Sequence, residues 1–136
     1  MTVSCTTRLH LSACTIVLDR LAPTRLRVAI SGHDVGEFHA LPFRCLEALM
    51  HEALPVELFV DARAARGASM GVSNDWAAWL GRNRHRLTAV HMLAGSRYVQ
   101  VIAEFVRRFS ELEDMMHVHV DPAHFNHLLG RRSAVG

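Results

Sequence analysis

Val56-Glu57-Leu58-Phe59-Val60 is an apolar run interrupted by one carboxylate, a pattern typical of a central strand covered by helices on both faces. Other short apolar runs stand before and after it, and each is followed by a segment with apolar residues at helical spacing. The predicted strands cover residues 26–30, 56–60, 87–93 and 116–120, and the predicted helices cover residues 38–53, 74–84, 97–109 and 122–129. Strands that alternate with helices of this length predict an α/β fold with a mainly parallel sheet.

Two more strands are predicted before this alternating region, over residues 6–11 and 15–18. Pro23 supplies a turn before the strand at 26–30, so we expect an antiparallel hairpin or meander on the amino-terminal side of the sheet. Residues 61–72 contain small side chains and two glycines, and we expect them to form a loop at the carboxyl edge of the sheet. Ser73 then stands where the helix at 74–84 requires an N-cap.

Two of the predicted helices carry conspicuous apolar faces. The helix at 97–109 follows Ser96, a second candidate N-cap. The residues expected to form its buried stripe are Tyr98, Val101, Ile102, Phe105 and Phe109. Trp76 and Trp79 share one face of the preceding helix, with a spacing typical of core packing. The alternative is an exposed aromatic anchor for a partner or an apolar ligand.

The composition indicates one globular domain over residues 1–136, with a core at about 6–130 and a flexible tail at 131–136. No apolar run approaches the ~18 residues that a membrane helix needs. The net charge of +2 is too small to indicate a nucleic-acid partner. Cys5, Cys14 and Cys45 form no pair motif, so we expect reduced thiols in a cytoplasmic protein.

Histidines near the carboxyl end are the candidates for a metal site. His117, His119 and Asp121 fall on one side of an extended strand, and His124 and His127 could share a face of the next helix. Imidazole and carboxylate groups are suitable ligands for zinc. The alternative is an edge strand whose histidines face solvent. The spacing matches no structural zinc pattern, so we predict no metal.

Groups that would support catalysis are scarce in the sequence. Asp61 ends an apolar strand, where catalytic carboxylates often lie, but its ordinary role would be to accept hydrogen bonds from the following loop or from Arg63. Residues 67–71 include two glycines but no lysine, and they do not match a phosphate-binding loop. No nucleophile, base and orienting group can be assembled, so we predict that the protein is not an enzyme and uses no cofactor.

Three stretches carry a resemblance to a known family. Arg27-Val28-Ala29-Ile30-Ser31-Gly32 is similar to the strand that ends in glycine before the first helix of the STAS domain. This domain is shared by sulfate transporters and bacterial anti-sigma-factor antagonists. Val56-Glu57-Leu58-Phe59-Val60-Asp61-Ala62-Arg63 is similar to its central strand, which ends in aspartate. The stretch from Trp76-Ala77-Ala78-Trp79-Leu80 through His91-Met92-Leu93-Ala94-Gly95 resembles a bacterial STAS-like subgroup still more.

This likeness spans about residues 26–129 and implies a STAS-like, mainly parallel sheet with amino-terminal antiparallel strands and about four helices. It also implies a non-enzymatic switch, in which a kinase phosphorylates a serine or threonine at the start of the helix after the central strand. The family signature Asp-Ser-(Ser or Thr)-Gly is absent from the corresponding residues 67–75. Ser69 and Ser73 are the only hydroxyl groups there and are the candidate phosphosites, with Ser73 as a plain N-cap the simpler interpretation.

The sequence therefore predicts a regulatory protein-interaction module of bacterial signalling that resembles anti-sigma-factor antagonists and forms a homodimer. We expect a regulator or a kinase as its protein partner, and neither nucleic acid nor a membrane. The predicted partner-binding residues are Ser69, Ser73, Asp75, Trp76 and Trp79. The alternative is a binder of a small apolar or anionic ligand, held in a pocket between the tryptophan-bearing helix and the sheet.

Overall fold

A computed structural model describes residues 6–131 and places four helices on one six-stranded sheet. The strands are β1 (Thr6–Leu11), β2 (Cys14–Ala22), β3 (Arg25–Asp34), β4 (Val56–Ala68), β5 (Leu87–Ala94) and β6 (Met116–His119). The helices are α1 (Leu41–Leu49), α2 (Met70–Arg82), α3 (Arg97–Phe109) and α4 (Pro122–Gly130). A short 3₁₀ turn at Arg84–Arg86 joins α2 to β5. The α/β architecture with mixed strand directions is the one predicted.

The strands lie in the sheet in the order in which they occur in the chain. The pairs β1–β2 and β2–β3 are antiparallel, and the remaining three pairs are parallel. Since all three crossovers step in the same direction, right-handed connections place α1, α2 and α3 on one face of the sheet. The opposite face is left to α4.

Burial follows this division of the two faces. The main core joins α1, α2 and α3 to strand residues such as Ile16, Val28 and Leu58. A smaller core on the other face contains Phe59, Leu93 and Phe125, the one buried residue of α4. The first half of β4 is therefore covered on both sides, because its alternate side chains enter the two cores.

The prediction of a loop at 61–72 is wrong. Strand β4 continues to Ala68, and α2 begins at Met70. The long β3 strand supplies hydrogen-bond partners for this extension, and the last pair in the ladder joins Asp34 to Ala68. Two irregularities in that ladder absorb the changes of register. Small side chains and glycines, which suggested a loop, here fit closely packed strands.

Helix α3 has the predicted bounds, and Ser96 caps it as expected, since its hydroxyl accepts a hydrogen bond from the Val99 N–H at 3.2 Å. The predicted buried stripe of this helix is wrong in part, since only Ile102 and Phe105 of its five residues are half-buried against the core and the cavity beside it. Its buried residues are Val99, Ala103 and Val106, whereas Tyr98, Val101 and Phe109 are exposed. Both sets of residues recur at helical spacing, and they are offset by about one position. The sequence pattern alone therefore did not identify the face that meets the sheet.

Other boundaries differ by smaller amounts. Helix α1 spans only Leu41–Leu49 and ends before residue 53, because Met50 has extended backbone. Helix α4 begins at Pro122 after the Asp121 cap, as predicted. Cys14 is buried and Cys45 is half-buried, and both are free thiols. Cys5 and residues 132–136 of the predicted tail lie outside the described residues.

Candidate functional site

The start of α2 lies where β3 and β4 end, and Ser69 rather than Ser73 is its N-cap. The Ser69 hydroxyl accepts a hydrogen bond from the Val72 N–H at 3.2 Å, in extended backbone typical of a cap. The Ser69 N–H donates to the Asp34 carbonyl at 2.9 Å, which ties the cap to the end of β3. The prediction of an N-cap at Ser73 is therefore wrong, because the helix begins one turn earlier.

Ser73 is buried inside the first turn of α2. Its hydroxyl donates to the Ser69 carbonyl at 3.0 Å. A phosphate on Ser73 would have to enter the space between α2 and the sheet. Ser69, by contrast, is half-buried at the end of the helix. Of the two candidate phosphosites, Ser69 is therefore the more accessible one and Ser73 is the buried one.

Trp76 and Trp79 both lie in the core, which confirms the packing interpretation. The Trp79 indole N–H donates to the Glu47 carboxylate of α1 at 3.1 Å. The ring of Phe43 stacks on Trp79 at 5.8 Å and meets Trp76 edge-on at 5.0 Å. These contacts hold α1 and α2 together, so neither indole is an exposed anchor. That this segment binds a protein partner stays a prediction.

The surface beside the Ser69 cap carries two exposed apolar residues. Val35 and Met70 follow the hydrogen-bonded pair Asp34 and Ser69, and they are 52% and 67% exposed. Asp75, five residues after Met70 in α2, is also exposed. We call Val35, Ser69, Met70 and Asp75 the junction surface. It lies at the carboxyl edge of the parallel strands, where α/β proteins usually bind ligands and partners.

A cavity lies beneath α2, between the sheet, α2 and α3. It has an internal volume of about 60 Å³, which is room for several waters. Apolar side chains form nearly all of its wall, among them Trp76, Leu80 and Ile102, and the buried polar groups beside it are Asp34 and Ser73. The cavity coincides with the pocket that the sequence placed between the tryptophan-bearing helix and the sheet.

A chain of polar side chains crosses the opposite face of the sheet. Arg25 donates from Nε to Glu57 at 3.2 Å, and the Nε2 of His91 lies 3.3 Å from the other carboxylate oxygen. The Nδ1 of His91 is 3.0 Å from the Nε2 of His119. If neutral His91 donates its Nε2 proton to Glu57, its Nδ1 accepts the Nε2 proton of His119. The chain therefore connects β3 to β6 through two histidines.

Aromatic stacking surrounds this chain. The ring of His91 lies between Phe59, at 5.1 Å, and His117, at 5.2 Å, and both rings are nearly parallel to it. Burial lowers the pKa of His91 and that of His119, and the neighbouring histidines add to the lowering. His91 and Glu57 were not predicted as site residues. The parallel register that pairs His91 with His117 depends on strands that are distant in sequence.

The metal candidates are only partly brought together. His117 and His119 do point to one face of β6, but the carboxylate of Asp121 accepts a hydrogen bond from the Ala123 N–H at 3.0 Å and caps α4. His124 lies near His119, with ring centroids 5.4 Å apart. Between residues 6 and 131, no three histidine, cysteine or acidic side chains are arranged to hold a metal ion.

Asp61 has the structural role that the sequence offered as the alternative to catalysis, which is to accept a hydrogen bond from Arg63. Its carboxylate accepts a hydrogen bond from the Nε of Arg63 at 2.9 Å. The same guanidinium bonds the Asn126 amide of α4. Arg25 reaches α4 as well, where it donates to the Leu128 and Leu129 carbonyls at 2.8 and 3.1 Å. These contacts fix α4 on its face of the sheet.

Comparison with known proteins gives the fold a context. No family model and no curated protein matches the chain. A solved structure of an uncharacterised protein of the DUF3478 family from Shewanella loihica PV-4, with a SpoIIAA-like fold, matches with a TM-score of 0.61 and 15% identity. The match covers 89% of this chain and 97% of that one.

The anti-sigma factor antagonist SpoIIAA in its unphosphorylated form also matches, with a TM-score of 0.53 and 12% identity over 87% of this chain and 99% of that one. In the part of the chain that the structure describes, no helix is long and apolar enough to cross a membrane. The two likenesses show that this chain has the SpoIIAA-like α/β fold, which is the STAS-like fold that its sequence resembles.

Proposed function

We propose that the protein is a non-enzymatic regulatory module of the cytoplasm that binds a protein partner through the junction surface. The observation that supports this most is the place of Ser69. It caps α2 directly after the central strand, where the resemblance to STAS domains implies a switch residue. Exposed Val35 and Met70 beside it supply apolar area for a partner.

Phosphorylation of Ser69 would alter this surface in two ways. The phosphate would meet the free N–H groups and the positive end of α2, which favour negative charge. It would also bring a charge of about −2 next to Val35 and Met70, and a partner that buries those side chains would have to desolvate it. Binding in the unmodified state and release after phosphorylation follow from this arrangement.

The experiment compares capture of proteins from the native host by wild-type and variant chains. Ser69→Asp and Met70→Asp should each remove the proteins that the wild type captures, because both place a charge in the junction surface. Leu54→Asp is the matched control, since Leu54 is 51% exposed and lies in the loop between α1 and β4. Retention of the same proteins by Ser69→Asp and Met70→Asp, with native far-UV spectra, would contradict the proposal.

The cavity beneath α2 favours a second function, the binding of a small apolar ligand. Its wall is almost wholly apolar, and the acidic side chain of Asp34 beside it disfavours an anionic ligand. Titration with hexanol and with hexanoate, followed by tryptophan fluorescence, separates neutral from anionic ligands because Trp76 lines the cavity. Ala68→Leu fills part of the cavity and should abolish the response, whereas Ala78→Leu, on the exposed side of α2, should preserve it.

A further inference from the structure

Helix α3 leaves an apolar stripe uncovered. Val101 and Phe109 are 57% and 64% exposed, and half-buried Phe105 lies between them with its ring 4.3 Å from that of Phe109. The exposed ring of Tyr98 extends the stripe toward the start of the helix. From Tyr98 to Phe109 the stripe runs for about 16 Å at the rise of an α-helix. We call Tyr98, Val101, Phe105 and Phe109 the α3 stripe.

The α3 stripe also has a shape that another surface can enter. Val101, Phe105 and Phe109 line a shallow groove of about 230 Å³, with Glu104 and Arg108 at its sides. Glu104 forms an ion pair with Arg107 at 2.9 Å. This pair neutralises two of the charges nearest the middle of the stripe. An apolar centre with polar sides is the composition of a protein–protein interface.

We infer that the α3 stripe binds the same stripe of a second copy of this chain, with the two helices antiparallel. Phe105 stands four residues after Val101 and four before Phe109. A two-fold axis at Phe105 therefore packs Val101 of each copy against Phe109 of the other. An interface of this isologous kind must be self-complementary, and the apolar positions of α3 satisfy that condition.

The charges beyond the stripe select the antiparallel direction. Arg97 is exposed eight residues before Phe105, about 12 Å along the axis. The exposed acidic residues Glu111, Glu113 and Asp114 follow the end of α3, on the other side of Phe105. The two-fold axis brings Arg97 of each copy to this acidic segment of the other. A parallel arrangement would instead place arginine beside arginine and acid beside acid.

This inference does not depend on the proposed partner of the junction surface, because no residue of the α3 stripe belongs to that surface. It gives the homodimer expected from the sequence a defined interface.

Sedimentation velocity at micromolar protein concentrations measures the oligomeric state directly. The wild type should have twice the 15.2 kDa mass of the chain. Val101→Asp and Phe109→Asp should each give a monomer with a native far-UV spectrum, while the exposed-site control Leu54→Asp should remain dimeric.

Charge reversal tests the direction of the helices. Arg97→Glu and Glu113→Arg should each weaken the dimer about tenfold, because the symmetric interface contains the pair twice. The double variant should recover the wild-type affinity.

A wild-type monomer at all concentrations would overturn the inference, as would a dimer that survives both aspartate variants. A monomer that sediments with phosphatidylglycerol vesicles, and loses this binding in Val101→Asp, would assign the stripe to a membrane. That outcome would also overturn the inference. Failure of the double variant to recover would overturn the antiparallel arrangement.

Discussion

Lowering the pH from about 7.5 to about 5.5 should destabilise the protein through the histidine chain on the α4 face. Burial holds the pKa of His91 and of His119 below the ordinary value of 6.5. The groups that face His91 are Glu57 of β4, His117 and His119 of β6, and Arg131 after α4. Glu57 acts against the lowering, while His117 and Arg131 reinforce it, and the net direction is downward.

The sign follows from the protons bound in each state. As the pH falls below 6.5, the unfolded chain protonates both imidazoles while the folded chain still keeps them neutral. The unfolded state then binds more protons than the folded state, so the free energy of unfolding decreases as the pH decreases. Each proton contributes about 1.4 kcal/mol per pH unit, and two protons set an upper limit of about 2.7 kcal/mol per pH unit. This contribution is fully present above the unfolded pKa and is lost as the pH falls through the folded values.

Urea unfolding at several pH values, followed by the fluorescence of buried Trp76 and Trp79, measures this slope. His91→Phe keeps a ring against Phe59 but removes one titrating group, so its slope should be at most about half of the two-proton limit. His85→Gln changes an exposed histidine and should leave the wild-type slope intact. A wild-type stability that is constant or rising between about pH 7.5 and 5.5 would refute the reasoning. A slope that His91→Phe leaves unchanged would do the same.

Three further outcomes can be measured on single variants or on the wild type. Ser69→Ala removes the cap of α2 and should lower the free energy of unfolding by about 1 kcal/mol in urea titrations; an unchanged midpoint would contradict the cap. Gly95→Ala would force a Cβ against the Arg63 carbonyl oxygen, so a large drop in the thermal midpoint is expected, and a native-like midpoint would show that the turn after β5 lies further from β4. Burial raises the pKa of the Cys14 thiol to about 11, so iodoacetamide near neutral pH should modify Cys45 before Cys14, and peptide mass mapping showing the reverse order would contradict this.

Local sequence patterns were sufficient for most of the elements. The bounds of α3 followed from Ser96 and from apolar spacing, and the central strand followed from the run at 56–60. The second half of β4 could not be predicted in this way. Its alanines and glycine show no alternation, and its stability as a strand comes from the ladder with β3. That partner is distant in sequence and has no local signal.

The candidate site shows the same contrast: its local features could be predicted from the sequence, and those that depend on distant strands could not. The start of α2 was placed one turn late because Ser69 and Ser73 are equally good caps by composition, and the length of β4 decides between them. The histidines of β6 were recognised from alternation within one strand. Their contact with His91 depends on the register between β5 and β6, which no pattern within either strand determines. The exposed side of α3 was missed for a related reason, since helical spacing does not say which apolar face meets the sheet.

The agreement between strand order and chain order has a consequence for how the protein can be made. During synthesis each strand leaves the ribosome when the strand that it pairs with already exists, and no later strand has to separate a finished pair. Each parallel strand pairs with the strand just before it in the chain, so its pairing closes a loop of one crossover helix, as between Leu26 and Leu58. The newest strand of the growing sheet always has an open edge, and the next segment of the same nascent chain is the first to reach it. Co-translational assembly can therefore proceed from one end of the sheet to the other.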